Sequence, residues 1–317
     1  MPIALLALTL SAFAIGTTEF VIVGLLPTIA TSLVPKDKAA SAIAIMFTGL
    51  TVALVTGVPL GTFIGQHVGW RETFLAVSAL GLVAFVGSLL YVPSTIQHSK
   101  PASLLQQVQV LGQPRLLLVY AMTAVGYGGS FIAFTYLAPI LQQVSGFSAG
   151  AVGAVMLVYG VSVAFGNIWG GKLADKKGLV SALKRIFLLL ALVLLLLTFT
   201  APHPVLVVIT VLLWGAVAFG NVAGLQVYVV QQAEHFTPRA VDVASGLNIA
   251  AFNLGIAGGA WGGGLIVEHL GLVHTGWIGA LVVLGAFGLT VLSGRLDRLD
   301  PIPVRAGGEQ SMQALGH

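Results

Sequence analysis

Residues 149–201 read AGAVGAVMLVYGVSVAFGNIWGGKLADKKGLVSALKRIFLLLALVLLLLTFTA. Two apolar runs, 149–170 and 185–201, flank a short gap that holds Lys172, Lys176, Lys177 and Lys184. A bilayer-spanning helix needs ~20 mostly apolar residues, so each run can supply about one crossing. A basic gap between two crossings marks the cytoplasmic side.

The same pattern extends along the chain. Further apolar runs lie at about 4–30, 41–65, 72–93, 115–141, 204–232, 244–267 and 275–293, which makes nine. Lys36, Lys38, Lys100, Arg115, Lys172, Lys176, Lys177, Lys184, Arg185, Arg239, Arg295, Arg298 and Arg305 lie in or beside one alternating set of gaps. Arg71 alone falls in the other set. The expected fold is therefore an all-α polytopic membrane bundle with its C-terminus in the cytoplasm.

Composition agrees. The 317 residues are 57% hydrophobic and 8% charged, with a mean hydropathy of +1.00. Soluble domains carry about 25% charged residues, so a soluble globular fold is excluded. Cysteine is absent, which excludes disulfide frameworks and Cys-ligated metal sites. The net charge of +4 follows membrane topology and does not point to nucleic acid. The first run is too long for a signal-peptide core and is read as retained. Forty glycines suit helices that pack closely, as in Gly57-xxx-Gly61-xxx-Gly65 and Gly166-xxx-Gly170.

The chain repeats itself. Gly16, Thr18, Leu25 and Pro27 of run one match Gly128, Ser130, Leu137 and Pro139 of run four. Ser41 at the start of run two matches Ser245 at the start of run eight, and His67-Val68-Gly69 matches His269-Leu270-Gly271. The spacing differs between the halves: Pro139 to Ser245 is 106 residues, Pro27 to Ser41 is 14, a difference of 92. The second half holds three helices in that interval. The expected plan is a six-plus-six protein without its second, third and fourth helices, with a seam near Leu33-Val34. Loop charges agree, since Lys36 and Lys38 give run one an exterior N-terminus, the conflict that loss of an odd number of helices produces. The expected organisation is an incomplete three-helix half over 1–93, a cytoplasmic connector over 94–114, a six-helix half over 115–294 and a cytoplasmic tail over 295–317.

Specific residues carry a family resemblance. Gly171-Lys-Leu173-Ala174-Asp175-Lys176-Lys-Gly178 resembles the cytoplasmic loop motif of the major facilitator superfamily. Gly57-Val-Pro59-Leu-Gly61 resembles that family's antiporter motif on helix five, and Gly69-Trp70-Arg71 the usual start of helix six. Ile15-Gly-Thr-Thr-Glu-Phe20 with Gly24-Leu-Leu-Pro27 resembles the bacterial drug:proton antiporter branch, nearest to arabinose-efflux-permease-like and chloramphenicol-resistance-type proteins. The resemblance implies a bacterial inner-membrane carrier that exports small amphiphilic solutes, sugars or drugs, against protons by alternating access. Its partners would be solute, protons and lipid, without nucleic acid, metal or cofactor, and it would not be an enzyme. A rival expectation is a non-transporting remnant or a helix-bundle interaction protein descended from such a carrier.

Candidate working residues follow. Glu19 is the acidic residue clearly inside a run. A carboxylate at the bilayer centre costs ~2.5–3.5 kcal/mol on insertion scales, so it faces a cavity or partner, and burial favours its protonated form. The resemblance implies proton coupling at this position. Thr18 beside it, Tyr127, Asn221, Gln226, Asn248 and Asn253 are candidate substrate contacts, because buried amides and hydroxyls demand partners. Bonding between helices is the competing role for the amides, and aromatic packing for Tyr127. Asn221 is preferred because run seven corresponds to helix ten of the family. The resemblance gives Gly57, Pro59, Gly61, Arg71, Gly171, Asp175, Lys176 and Gly178 gating or motif roles, with Asp175 capping a neighbouring helix and Pro59 bending its own. Gly146-Phe-Ser148-Ala-Gly150 matches a hydrolase pattern but lacks the strand before it and an oriented histidine. No phosphate-binding loop is present, so ATP-driven pumping has no support.

Overall fold

The computed structural model describes residues 67–91 and 103–300, together with positions 53, 57, 60, 61, 64 and 65. Run one with Thr18 and Glu19, Pro59, the Leu33-Val34 seam and residues 301–317 lie outside the described residues.

Nine helices carry labels here. They are α1 (Trp70–Tyr91), α2 (Leu104–Leu111), α3 (Pro114–Phe134), α4 (Ala149–Lys177), α5 (Leu179–Thr200), α6 (Pro204–Ala218), α7 (Val222–Phe236), α8 (Val241–His269) and α9 (His274–Leu299). No strand occurs among the described residues, and seven spans are long and apolar enough to cross a membrane. They correspond to the seven runs from 72 onward. The all-helical architecture expected from the sequence is the one observed.

Local chemistry sets the boundaries. Pro114 opens α3 and Pro204 opens α6, each at a first-turn position that needs no N–H donor. Beyond Phe134, α3 continues through Leu137–Pro139 into a π-turn at Ile140–Val144. Pro139 cannot donate to the carbonyl four residues back; Ile140 N resumes the ladder on Tyr136 O at 2.9 Å, and Ser145 N closes the π-turn on Ile140 O at 3.1 Å. The basic motif is helix rather than loop: Gly171, Asp175 and Lys176 lie on the last turns of α4. Gly178, at φ +79°, is the one residue between α4 and α5. Lys, Leu and Ala are good helix formers, and only a glycine adopts that backbone angle cheaply.

The six spans after the connector form one bundle. Its core includes Leu116, Met122, Phe187, Leu190, Leu194 and Trp214, all essentially buried. The outward face is apolar as well: Leu254 is 71% exposed and Trp261 72%. A helix apolar all round belongs in lipid. Helix α1 is apolar and carries no buried residue.

Helix α3 is the bundle's central strut, wedged between α8 and α9. An ideal Cβ at Gly259 would stand 3.0 Å from the Gly128 carbonyl carbon, and one at Gly129 would stand 2.8 Å from the Gly279 carbonyl oxygen. Only glycine lets these backbones touch.

Candidate functional site

A polar stripe runs down α3. Tyr120, Thr123, Tyr127 and Ser130 recur at three- and four-residue spacing, and all four are buried. Each meets another helix. The Tyr120 hydroxyl donates to Ala244 O on α8 at 3.2 Å. The Thr123 hydroxyl donates to Asn248 Oδ1 on α8 at 2.7 Å. The Tyr127 hydroxyl donates to Asn221 Oδ1 at 2.7 Å. Ser130 Oγ accepts from the Trp214 indole N–H of α6 at 3.1 Å.

Asn221 occupies a break. Run 204–232 reads as one continuous crossing, yet the structure divides it at Phe219-Gly220-Asn221 into α6 and α7. Gly and Asn are weak helix formers. The bonds across the break are short-range: Gly220 N reaches Val217 O at 3.3 Å, and Val222 N reaches Phe219 O at 3.2 Å. Helix α4 braces it. An ideal Cβ at Gly170 would stand 2.6 Å from the carbonyl carbon of Gly220, so the two backbones are in contact.

Tyr127, Asn221 and Phe252 each fall near the middle of their spans. The Tyr127 ring packs edge-on against Phe252 at 4.3 Å and Phe219 at 6.0 Å. Asn221 is 1% exposed, and its Nδ2 has no partner. An unmade bond at a buried polar atom costs about 1–3 kcal/mol, so such a donor invites an acceptor.

The remaining candidates divide. Asn248 Nδ2 donates to Gln226 Oε1 at 3.2 Å, and Gln226 Nε2 bonds to Ser245 Oγ. Asn248 and Gln226 thus belong to one chain from α3 through α8 to α7. Asn253 is different: its Nδ2 donates to Ile249 O of its own helix at 2.8 Å. Gly57 and Gly61 stand apart from this site. The Thr73 methyl would lie 3.6 Å from a Cβ at Gly61, which sets that segment beside α1. Arg71 rests over the Trp70 ring at 4.7 Å.

One cluster escaped the sequence reading. At the end of the bundle where α3 begins, Asp297 of α9 pairs with Arg115 of α3. Asp297 also accepts from the Tyr228 hydroxyl at 2.6 Å and from Gln232 Nε2 at 3.1 Å, both on α7. Tyr228 also shares a 2.6 Å bond with Ser293 of α9. The readable signal was spacing: Tyr228 and Gln232, like Ser293 and Asp297, are four apart and share a helix face.

The geometry is that of a membrane bundle with a broken helix and an unused amide donor at mid-depth. Comparison with known proteins agrees. The family model described as Major Facilitator Superfamily matches residues 2–235. The chain belongs to the Major Facilitator Superfamily. It is 51% identical over 298 residues to the uncharacterized MFS-type transporter YtbD of Bacillus subtilis (strain 168), covering 94% of this chain and 74% of that one. It is 37% identical over 273 residues to the inner membrane transport protein YdhP of Escherichia coli (strain K12), covering 86% of this chain and 69% of that one. Among solved structures, it resembles a bacterial homolog of the human lysosomal transporter Spinster, captured inward-facing and unoccupied. The TM-score is 0.60 at 17% identity, over 86% of this chain and 74% of the other, and it speaks to the fold alone.

Proposed function

We propose that the chain is a secondary carrier of a bacterial inner membrane that exports small amphiphilic solutes, sugars or drugs, in exchange for protons. Family membership supports a carrier rather than an enzyme. The observation that carries the reading is the α6–α7 break. It sets the buried Asn221 amide, with its Nδ2 unpartnered, among Tyr127, Phe219 and Phe252 at mid-depth. Carriers place substrate sites near the bilayer midplane at discontinuous helices. In this reading Asn221 contacts solute, and Asn248, Gln226 and Tyr127 hold the site's shape. Glu19 carries the proton and Thr18 contributes to solute binding. Asp175 and the basic end of α4 steady one conformation, and the C-terminus is cytoplasmic.

Two substitutions test this. Asn221→Leu keeps volume and removes both the free donor and the acceptor of the Tyr127 hydroxyl. It is expected to lower solute flux in everted vesicles at least tenfold while the protein still inserts, at a stability cost of about 1–3 kcal/mol; unchanged flux would remove Asn221 from the site. Glu19→Gln is expected to abolish the proton dependence of export, leaving at most downhill movement. Persisting uphill transport would place the proton elsewhere.

A second reading rests on α1, which buries none of its residues. By that reading the chain descends from a carrier but moves nothing, and the first half walls no cavity. Solute flux at the level of empty vesicles from correctly inserted protein would favour it.

A further inference from the structure

We infer that Asp297 is the positioning residue of the second half: it latches the far end of α7 and, through α7, fixes where Asn221 stands. The inference rests on the reading of Asn221 as a substrate contact only for what that positioning serves.

Helix α7 has 15 residues and is about 22 Å long. Its near end is hinged, because no continuous helical ladder joins it to α6. There it is tied to α3 by the Tyr127–Asn221 bond. Its far end presents Tyr228, Gln232 and Phe236, a stripe spaced by four. The first two donate to Asp297, and the Phe236 ring lies 5.9 Å from the Arg115 guanidinium carbon. One carboxylate therefore gathers three helices.

The division of bonds makes this arrangement releasable. The ion pair joins α3 to α9, neither of which is broken at the hinge. Helix α7 is held to that pair by two side-chain hydrogen bonds and the Phe236–Arg115 ring contact, none of them an ion pair. It can leave without separating Arg115 from Asp297, so no bare buried charge results. The cluster is also incompletely satisfied. Arg115 Nε, Arg115 Nη1 and Gln232 Oε1 are buried without partners. Each such atom is hydrogen-bonding capacity that this arrangement leaves unused. A rod with a break at one end and a side-chain latch at the other is the kind of two-position element that carriers rock between states.

The test is backbone hydrogen exchange, peptide by peptide, on the full chain in lipid nanodiscs. The variant is Tyr228→Phe with Gln232→Leu, which removes the hydrogen bonds of α7 to Asp297 and leaves the Arg115–Asp297 pair whole. Exchange over residues 228–236 is expected to rise at least tenfold, and over 219–225 at least threefold, with α3 and α9 unchanged. Asp297→Glu keeps the acceptor and is expected to stay within threefold of the parent throughout. Unchanged exchange over 228–236 overturns the latch. A rise confined to 228–236 overturns the positioning of Asn221, and an equal rise across α3 and α9 shows general loosening and overturns both. No solute is needed. If Asn221→Leu left transport intact while these exchange changes appeared, the substrate reading would fail and the latch would stand.

Discussion

Asp297→Ala is expected to destabilise the six-helix half by about 1–3 kcal/mol, less than the ~3–5 kcal/mol for a fully buried ion pair, because the pair is partly exposed. The Arg115 side chain is 13% exposed and Asp297 22%. Removing the carboxylate leaves the guanidinium in the bundle without a counter-charge. Arg115 also lies in the first turn of α3, where the helix dipole opposes a cation. Two more donors, on Tyr228 and Gln232, lose their acceptor in the same step. The double substitution Arg115→Met with Asp297→Leu is expected to cost much less, because neither charge remains to be desolvated. Equilibrium unfolding in mixed micelles measures both. If Asp297→Ala proved as mild as the double variant, the pair would be contributing nothing as an ion pair.

Gly170→Ala is the second large effect, and Gly171→Ala is its control. A methyl group at residue 170 would overlap the Gly220 carbonyl oxygen and stand 2.6 Å from its carbon. The obstacle is backbone on a neighbouring helix, so no rotamer change relieves it. Helices α4 and α6 must part, and overpacking of this kind costs about 1–3 kcal/mol. The displacement falls on the break itself, beside Asn221, so solute flux is expected to drop along with stability. At Gly171 nothing lies within 4 Å of an added Cβ. Alanine there is expected to be neutral or to stabilise by about 0.5–1 kcal/mol through helix propensity. Equal effects at the two positions would mean that the α4–α6 contact is not as close as described.

Much of this architecture was written plainly in the chain. Apolar runs and basic gaps place spans well because a membrane leaves few alternatives for the backbone. The break between α6 and α7 was hidden for the same reason: PVLVVITVLLWGAVAFGNVAGLQVYVV is apolar throughout, and hydropathy registers burial in lipid rather than continuity of hydrogen bonds. The α4–α5 turn was read as a loop because lysines signal water, yet lysine is also a good helix former and Gly178 alone turns the chain. Among site residues, the amides stood out because an amide in an apolar run needs a partner. Thr123, Ser130 and Ser245 did not, since a hydroxyl in a membrane helix can satisfy itself locally, as Thr200 and Thr290 do on carbonyls four residues back. Asp297 was missed because it sits between Arg295 and Arg298, where a carboxylate looks like part of a polar tail. Only the fold brings Arg115 to it across 182 positions of sequence.

Proton-coupled carriage by this chain would show in the pH gradient across everted vesicles. Vesicles holding the protein are energised to an acidic interior and challenged in turn with L-arabinose, chloramphenicol and ethidium, with an acid-trapped fluorescent amine reporting the gradient. At least one solute is expected to dissipate the gradient with the parent chain, and Glu19→Gln is expected to abolish that response. Correctly inserted protein that leaves the gradient untouched by all three would contradict proton-coupled carriage.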